Sequence, residues 1–276
     1  MLVFAAICPH SPMLIPAIGK DNTPLFAKTL EAYKGLKARL DESEAEVLVI
    51  LTPHGEAAED KFVIPAGLAN ENAAAQYQIN FKEFGDLATK FEVPAQTVLA
   101  NHWRENLKKD FKFKITQTET LDYGAGVPLF YLNKERPLPT VVIGQADLDR
   151  VAHWHLGEML GEEFLASETR VAVIASGELS HCLNENAPGG YVPSAKTFDN
   201  RLIELLNQKE NESGKPAGVD ILALDEKEIV AIKECGLKTI TTLLGILSSS
   251  RYEPEFLAYE SPLGVGCLTM NFKLNH

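Results

Sequence analysis

Glu46-Val47-Leu48-Val49-Ile50-Leu51-Thr52-Pro53-His54 decides how this chain folds. Its unbroken β-branched and aliphatic run is too short for a buried helix and too apolar for a half-exposed strand. It reads as a strand covered on both faces, as in a parallel sheet. Val3-Phe4-Ala5-Ala6-Ile7-Cys8-Pro9-His10 upstream has the same form, and so does Val171-Ala172-Val173-Ile174-Ala175, which leads through Ser176-Gly177-Glu178-Leu179-Ser180 to His181. Three times, then, an apolar strand delivers a histidine just past its carboxyl end. In open α/β sheets the crevice beyond those ends is where ligands bind, and imidazoles gathered there point to a metal or proton-transfer site.

Between the first two strands, Asn22-Thr23-Pro24 reads as a helix start and predicts a helix over 24–40 with Leu25, Leu30, Tyr33, Leu36 and Leu40 on its buried face. The strand at 47–51 closes a β-α-β unit, which predicts parallel strands and a right-handed crossover. Further along, 61–81 suggests antiparallel edge strands or a hairpin, and 84–91 and 94–107 read as helices. A strand at 139–144, a helix over 148–165 and a strand at 170–175 follow. The remainder reads as an amphipathic helix over 194–211, a loop at 214–218, helices over 225–233 and 238–249, and strands around 256–259 and 265–272. There is no internal repeat, low-complexity tract or Pro/Gly/Ser linker. The expectation is α/β: a single domain over 1–276, a mostly parallel central sheet flanked by helices, and a metal site at the carboxyl ends of the strands.

At 276 residues and 45% hydrophobic, the chain can bury a large core. Its net charge of −12, with no basic run beyond Lys108-Lys109, repels phosphate backbones and anionic headgroups, which argues against nucleic acid and membrane partners. No apolar stretch approaches the ~20 residues that span a bilayer, and no basic segment precedes the first strand. Cys8, Cys182, Cys235 and Cys267 lie far apart without CxxC pairs, as expected of reduced thiols in a cytoplasmic protein.

His10 and His54 each follow a proline that stiffens the exit from a strand, in Cys8-Pro9-His10-Ser11-Pro12 and Thr52-Pro53-His54-Gly55. If their strands are adjacent, the two imidazoles lie about 5 Å apart and can share one divalent Fe, Mn or Zn ion. A lone histidine more often caps a strand; two in matched positions favour a site. His181 could be a third ligand or a base, with Glu178 either orienting it or standing in solvent. Ser176 or Ser180 with His181 would suggest a hydrolase, but no G-x-S-x-G elbow is present. His153-Trp154-His155 resembles a metal motif, yet i and i+2 diverge on a helix; these two, His102 and His276 read as structural or surface residues. Cys235, before a predicted helix, is either a soft thiolate ligand or a small buried hydrophobe.

Taken in order, these segments resemble the class III extradiol ring-cleavage dioxygenase superfamily (the LigB type) and its Memo-like relatives. The similarity runs through Pro9-His10, Pro53-His54-Gly55, Asp122-Tyr123-Gly124-Ala125-Gly126-Val127-Pro128-Leu129 and Ser176-Gly177-Glu178-Leu179-Ser180-His181. It continues in Ala187-Pro188-Gly189-Gly190-Tyr191, Phe198-Asp199, Glu234-Cys235-Gly236-Leu237 and Leu243-Leu244, covering nearly the whole chain. The resemblance implies a mononuclear non-haem metal, Fe(II) before Zn(II) or Mn(II), with His10 and His54 as ligands and His181 as acid/base. It implies a catecholic aromatic substrate and O₂ as partners, and a homo-oligomer is compatible with it. Tyr123 stands where dioxygenases often carry histidine, making it a substrate-facing phenol. The third-ligand position falls at or near Thr239, one helical turn after Cys235, which makes Cys235 the expected ligand and Glu234 its rival. The first expectation is a ring-cleaving oxidoreductase. The others are a Memo-like metal-binding protein with a redox or partner-binding role, and a metal-assisted hydrolase with His181 as base.

Overall fold

Alternate residues of the β2 strand (Val47–Thr52) go to opposite faces of the sheet, as strand geometry requires. Val47, Val49 and Leu51 enter one apolar layer while Leu48 and Ile50 enter the other. The strand is buried along its whole length, which is why its sequence is continuously apolar. β1 (Leu2–Cys8), β7 (Thr140–Gly144) and β8 (Val171–Ser176) share this character. In the computed structural model, which describes every residue except 57, 69–73, 119, 209–216 and 276, these four form the parallel centre of an eight-stranded sheet ordered β6-β3-β7-β2-β8-β1-β10-β9.

The flanks are mixed. β3 (Phe62–Pro65) runs antiparallel to β7 and carries β6 (Phe113–Thr116) parallel to itself, while β10 (Cys267–Leu274) and β9 (Tyr252–Glu260) add antiparallel strands beyond β1. A separate hairpin joins β4 (Gln76–Phe81) to β5 (Asp86–Pro94). The result is one α/β domain on a mixed, mostly parallel sheet. One face is covered by α3 (Thr97–Leu107), α5 (Arg150–Leu165), α6 (Ala195–Leu206), α7 (Glu226–Ile232) and α8 (Leu237–Leu247). The hairpin, α2 (Ala27–Glu42) and α4 (Tyr123–Leu132) cover the other, beside the short turn α1 (Pro16–Gly19). Among the described residues no helix is long and apolar enough to cross a membrane.

Several expectations are corrected. β1 and β2 are parallel but not adjacent, because β8 lies between them; sheet neighbours are set by long-range pairing, which a local β-α-β pattern does not specify. Residues 84–91 are mostly strand, not helix. Phe84, Leu87 and Phe91 mimic helical spacing, but Gly85 takes a left-handed φ of 81° and turns the chain into the β5 pairing with β4. The helix expected over 24–40 begins at Ala27 after a 3₁₀ segment over Lys20–Phe26, and Leu25 is exposed rather than buried. The 61–81 stretch divides between β3, inside the main sheet, and β4 of the hairpin. β6 lies in a stretch to which the sequence pattern assigns no element. The helix expected over 194–211 ends at Leu206, while 209–211 and most of the 214–218 loop fall outside the described residues.

α8 is seated by glycine contacts. A Cβ at Gly157 of α5 would lie 2.1 Å from Thr242 O, and one at Gly245 of α8 would lie 2.2 Å from Trp154 O. The two helices thus touch backbone to backbone, which presses α8 onto the sheet and aims its amino end at the rim where β1, β2 and β8 finish.

Candidate metal centre

Strand register puts three side chains in one row. Ala175 of β8 pairs with Ile7 of β1 on one side and Leu51 of β2 on the other. His10, Glu178 and His54 each stand three residues beyond that shared row. Three loops therefore leave the sheet in step, with Glu178 in the middle position. The fourth contributor is the turn before α8. Gly177 and Gly236 pack so closely that a Cβ on Gly177 would lie 2.3 Å from Gly236 Cα, and the Cys235 and Gly236 amides both donate to Glu178 O, at 3.3 and 3.0 Å. Two residues without side chains thereby bring Cys235 against the β8 loop.

Three donors meet at the centre of this rim. His10 Nε2 lies 3.1 Å from His54 Nε2 and 3.6 Å from Cys235 Sγ. A hydrogen-bond chain fixes the tautomer of His10. Ser176 Oγ donates to Gly124 O at 2.5 Å, so its 2.9 Å contact with His10 Nδ1 must be one it accepts. With Nδ1 carrying the proton, neutral His10 keeps a free lone pair on Nε2, facing His54 and Cys235. Burial favours the neutral forms. His10 is fully enclosed and its pKa falls to about 4, lowered by desolvation against the opposing pull of Glu178; that of His54 falls for the same leading reason.

Cys235 does not sit in the electropositive setting expected at a helix start. Burial, reinforced by the neighbouring Glu178 charge, pushes its thiol well above the usual range, so only a bound cation would make it a thiolate. Glu234 is turned away and caps α8, its carboxylate accepting from Leu237 N at 2.6 Å. Thr239 is spent on the backbone, its one hydroxyl proton shared between Ser176 O at 2.9 Å and Gly236 O at 2.8 Å. Of the residues considered for third ligand, geometry brings Cys235 alone to the two imidazoles.

Glu178 is the residue that sequence reasoning undervalued. It is buried, not solvated: Oε2 lies 3.4 Å from His181 Nε2 and 3.9 Å from His10 Nε2, and Oε1 has no hydrogen-bond partner among the described residues. Desolvation opposes its charge, but the hydrogen bond from His181 and the surrounding imidazoles outweigh that and hold its pKa below the carboxylate norm. For His181, burial works against the charged ring. Glu178 and the Leu179 carbonyl, 3.0 Å from Nδ1, more than compensate and raise its pKa. The signal was available in the equal three-residue offsets of His10, His54 and Glu178 from paired strand positions, which become visible only once β8 is known to lie between β1 and β2.

Tyr123, the first residue of α4, stacks on the His54 ring at 4.4 Å and meets His10 edge-on at 5.6 Å. Its position follows from the Asp122 cap, which accepts from Ala125 N and from Thr52 Oγ1. Beside this ring pair opens a cavity of about 650 Å³ whose polar lining includes Thr52, Asn80, Lys82, Thr116 and Thr120. The remaining histidines stay out of the site. His153 is buried against Phe62 and bonded to Asp149 O, His155 points outward beside Glu158, His102 is on the surface near Glu163, and His276 lies outside the described residues. Cys8, Cys182 and Cys267 are free and buried.

This donor set suits a borderline-soft divalent ion: two neutral imidazoles, a thiol that needs a cation in order to ionise, and a buried carboxylate with an unpartnered oxygen. The chain is 27% identical over 267 residues to Protein CA_C1420 of Clostridium acetobutylicum, covering 94% of this chain and 55% of that one, so it spans about half the length of this relative. The crystal structure of the uncharacterized protein JW3007 from Escherichia coli superposes with a TM-score of 0.66, covering 98% of this chain and 99% of that one at 15% identity, a likeness of fold. Residues 4–267 match the model of the catalytic LigB subunit of aromatic ring-opening dioxygenase, and with that match, on this fold and around this histidine-bearing rim, the chain belongs to the LigB family.

Proposed function

We propose that the chain is a metal-binding member of the LigB family, closest in its site to the Memo-like branch, in which His10, His54 and Cys235 hold one divalent ion. The observation that carries this is the 3.6 Å approach of Cys235 Sγ to His10 Nε2, which completes a two-imidazole, one-thiol triad. Fe(II) suits this set, with Zn(II) or Mn(II) as alternatives. Such an ion supplies Lewis acidity and, as iron, a redox centre. The chain's own residues do the rest. Ser176 keeps the His10 lone pair available, the Tyr123 ring shields one side of His54, and burial keeps both imidazoles neutral and ready to coordinate.

One observation favours retained ring-cleaving chemistry. His181 is held by Glu178 and Leu179 O at the open edge of the site, with 22% of its side chain exposed, where it could exchange a proton with a bound molecule. Against that reading, Tyr123 stands in place of an imidazole, and the adjoining cavity mixes threonine hydroxyls with Val63, Leu121 and Val142 and, among the described residues, offers no further imidazole beside His54. The site therefore supports metal binding with a redox or partner-binding role more strongly than cleavage of a catechol.

Anaerobic titration with Fe(II) and Zn(II) tests the proposal. His10→Ala, His54→Ala and Cys235→Ser should each lower affinity by at least a hundredfold, and wild-type affinity in all three would refute it. Catechol-dependent oxygen uptake by the Fe(II)-loaded protein would shift the reading to ring cleavage. In that case His181→Ala should lower turnover while the ion held by His10, His54 and Cys235 is retained.

A further inference from the structure

The donors at this rim fall into two triads, not one. His10, His54 and Cys235 form the first; Glu178, His181 and Cys235 form the second, and in each the ligating atoms lie within 4.8 Å of one another. We propose that Glu178, His181 and Cys235 form a second cation position that shares the Cys235 sulfur with the first, and that filling it withdraws His181 from proton transfer. The proposal rests on the metal-binding reading above and adds to it a second ion and a mode of regulation.

The argument begins with reach. Donors bound to one ion at ~2.0–2.3 Å can be no farther apart than about 4.6 Å, twice the bond length. The two triads have Cys235 in common, and Glu178 Oε2 lies 3.9 Å from His10 Nε2 as well as 3.4 Å from His181 Nε2, at the edge between the two positions. A thiolate sulfur has enough lone pairs to be shared by two cations, whereas an imidazole nitrogen has one. The shared member is accordingly the cysteine.

Glu178 supplies the independent observation. Its side chain is 8% exposed, and Oε1 has no hydrogen-bond partner among the described residues, although a buried carboxylate oxygen left alone is costly. His181 donates from Nδ1 to Leu179 O, which leaves Nε2 as the end turned to Glu178, 3.4 Å away. A cation between that nitrogen and the carboxylate, now 3.4 Å apart, would bind both groups. His181 would then be a ligand, unable to accept or deliver a proton at Nε2.

Burial sets the order of filling. His10 is fully enclosed, whereas His181 keeps 22% of its side chain exposed. The inner position fills first; the outer one exchanges with solvent and binds more weakly, because its thiolate charge is already shared.

Anaerobic titration of the full chain with Co(II), following the thiolate charge-transfer band in the near ultraviolet, reads both positions. Wild type should take up two equivalents, the second at least tenfold more weakly. Glu178→Gln and His181→Gln should stop at one equivalent with the charge-transfer band intact, which also reports that each variant is folded. Saturation of wild type at one equivalent, or two equivalents in both variants, overturns the second position and leaves the first standing. No uptake by wild type overturns the metal reading itself, and the second position with it.

Discussion

Ser176 decides which nitrogen of His10 keeps a free lone pair. Its hydroxyl is committed to Gly124 O, so it can only accept from His10 Nδ1, and Nε2 is left bare. Outer partners of this kind commonly contribute ten- to hundredfold to metal affinity. Ser176→Ala should therefore weaken Zn(II) binding by roughly that factor while leaving the near-ultraviolet circular dichroism unchanged; unaltered affinity would mean that the tautomer is held by something else. His153 shows how a buried imidazole with no place in the site affects stability. Its pKa falls from 6.5 to about 4, chiefly through burial, and its Nε2 has no partner among the described residues. Above pH 6.5 folded and unfolded chains both carry it neutral. Between pH 6.5 and 4 only the unfolded chain takes up the proton, so stability falls as the solution is acidified, by about 3 kcal/mol in all. Denaturant melts of His153→Leu should lose about that much less between pH 7 and pH 4 than wild type does. Equal losses would assign the acid sensitivity to other groups.

At the scale of elements, the site depends on a backbone contact more than on any side chain. The β8 loop and the turn before α8 meet at Gly177 and Gly236, and Glu178 O accepts both amides of the facing turn. A methyl at Gly177 would sit 2.3 Å from Gly236 Cα, a distance that only backbone movement can relieve. Gly177→Ala should move Cys235 away from His10, costing roughly 1–3 kcal/mol of stability through overpacking and abolishing the thiolate band of the Co(II)-loaded protein. A band of normal intensity in a folded Gly177→Ala would show that Cys235 reaches the ion without this contact. Helix α8 is placed by the same device at Gly157 and Gly245, so glycines govern both the seat of the helix and the reach of its amino-terminal turn.

Across the whole molecule, the candidate site ties together the carboxyl ends of β1, β2 and β8 and the start of α8, four elements spread from Cys8 to Leu237 in sequence. An ion bound there would exist only in the folded chain, so saturating Zn(II) at a hundred times its dissociation constant should add about 2.7 kcal/mol. For a chain of this size that is a rise of roughly 5 °C in melting temperature. Calorimetry with and without Zn(II) should show the rise in wild type and not in His10→Ala; no rise in either would remove the ion from the folded-state energetics. Much of this arrangement was determined by local sequence. The continuous apolar runs at Val3, Val47 and Val171 require strands buried on both faces, and the prolines before His10 and His54 place those rings at strand exits, because burial and backbone stiffness act over a few residues. Tertiary structure decided the rest. Insertion of β8 between β1 and β2 put Glu178 between the histidines, the Gly177–Gly236 contact brought Cys235 rather than Glu234 or Thr239 beside His10, and pairing with β4 made a strand of residues that carry helical spacing. Each of these outcomes follows from contacts between segments far apart in the chain, whose free energies no local pattern encodes.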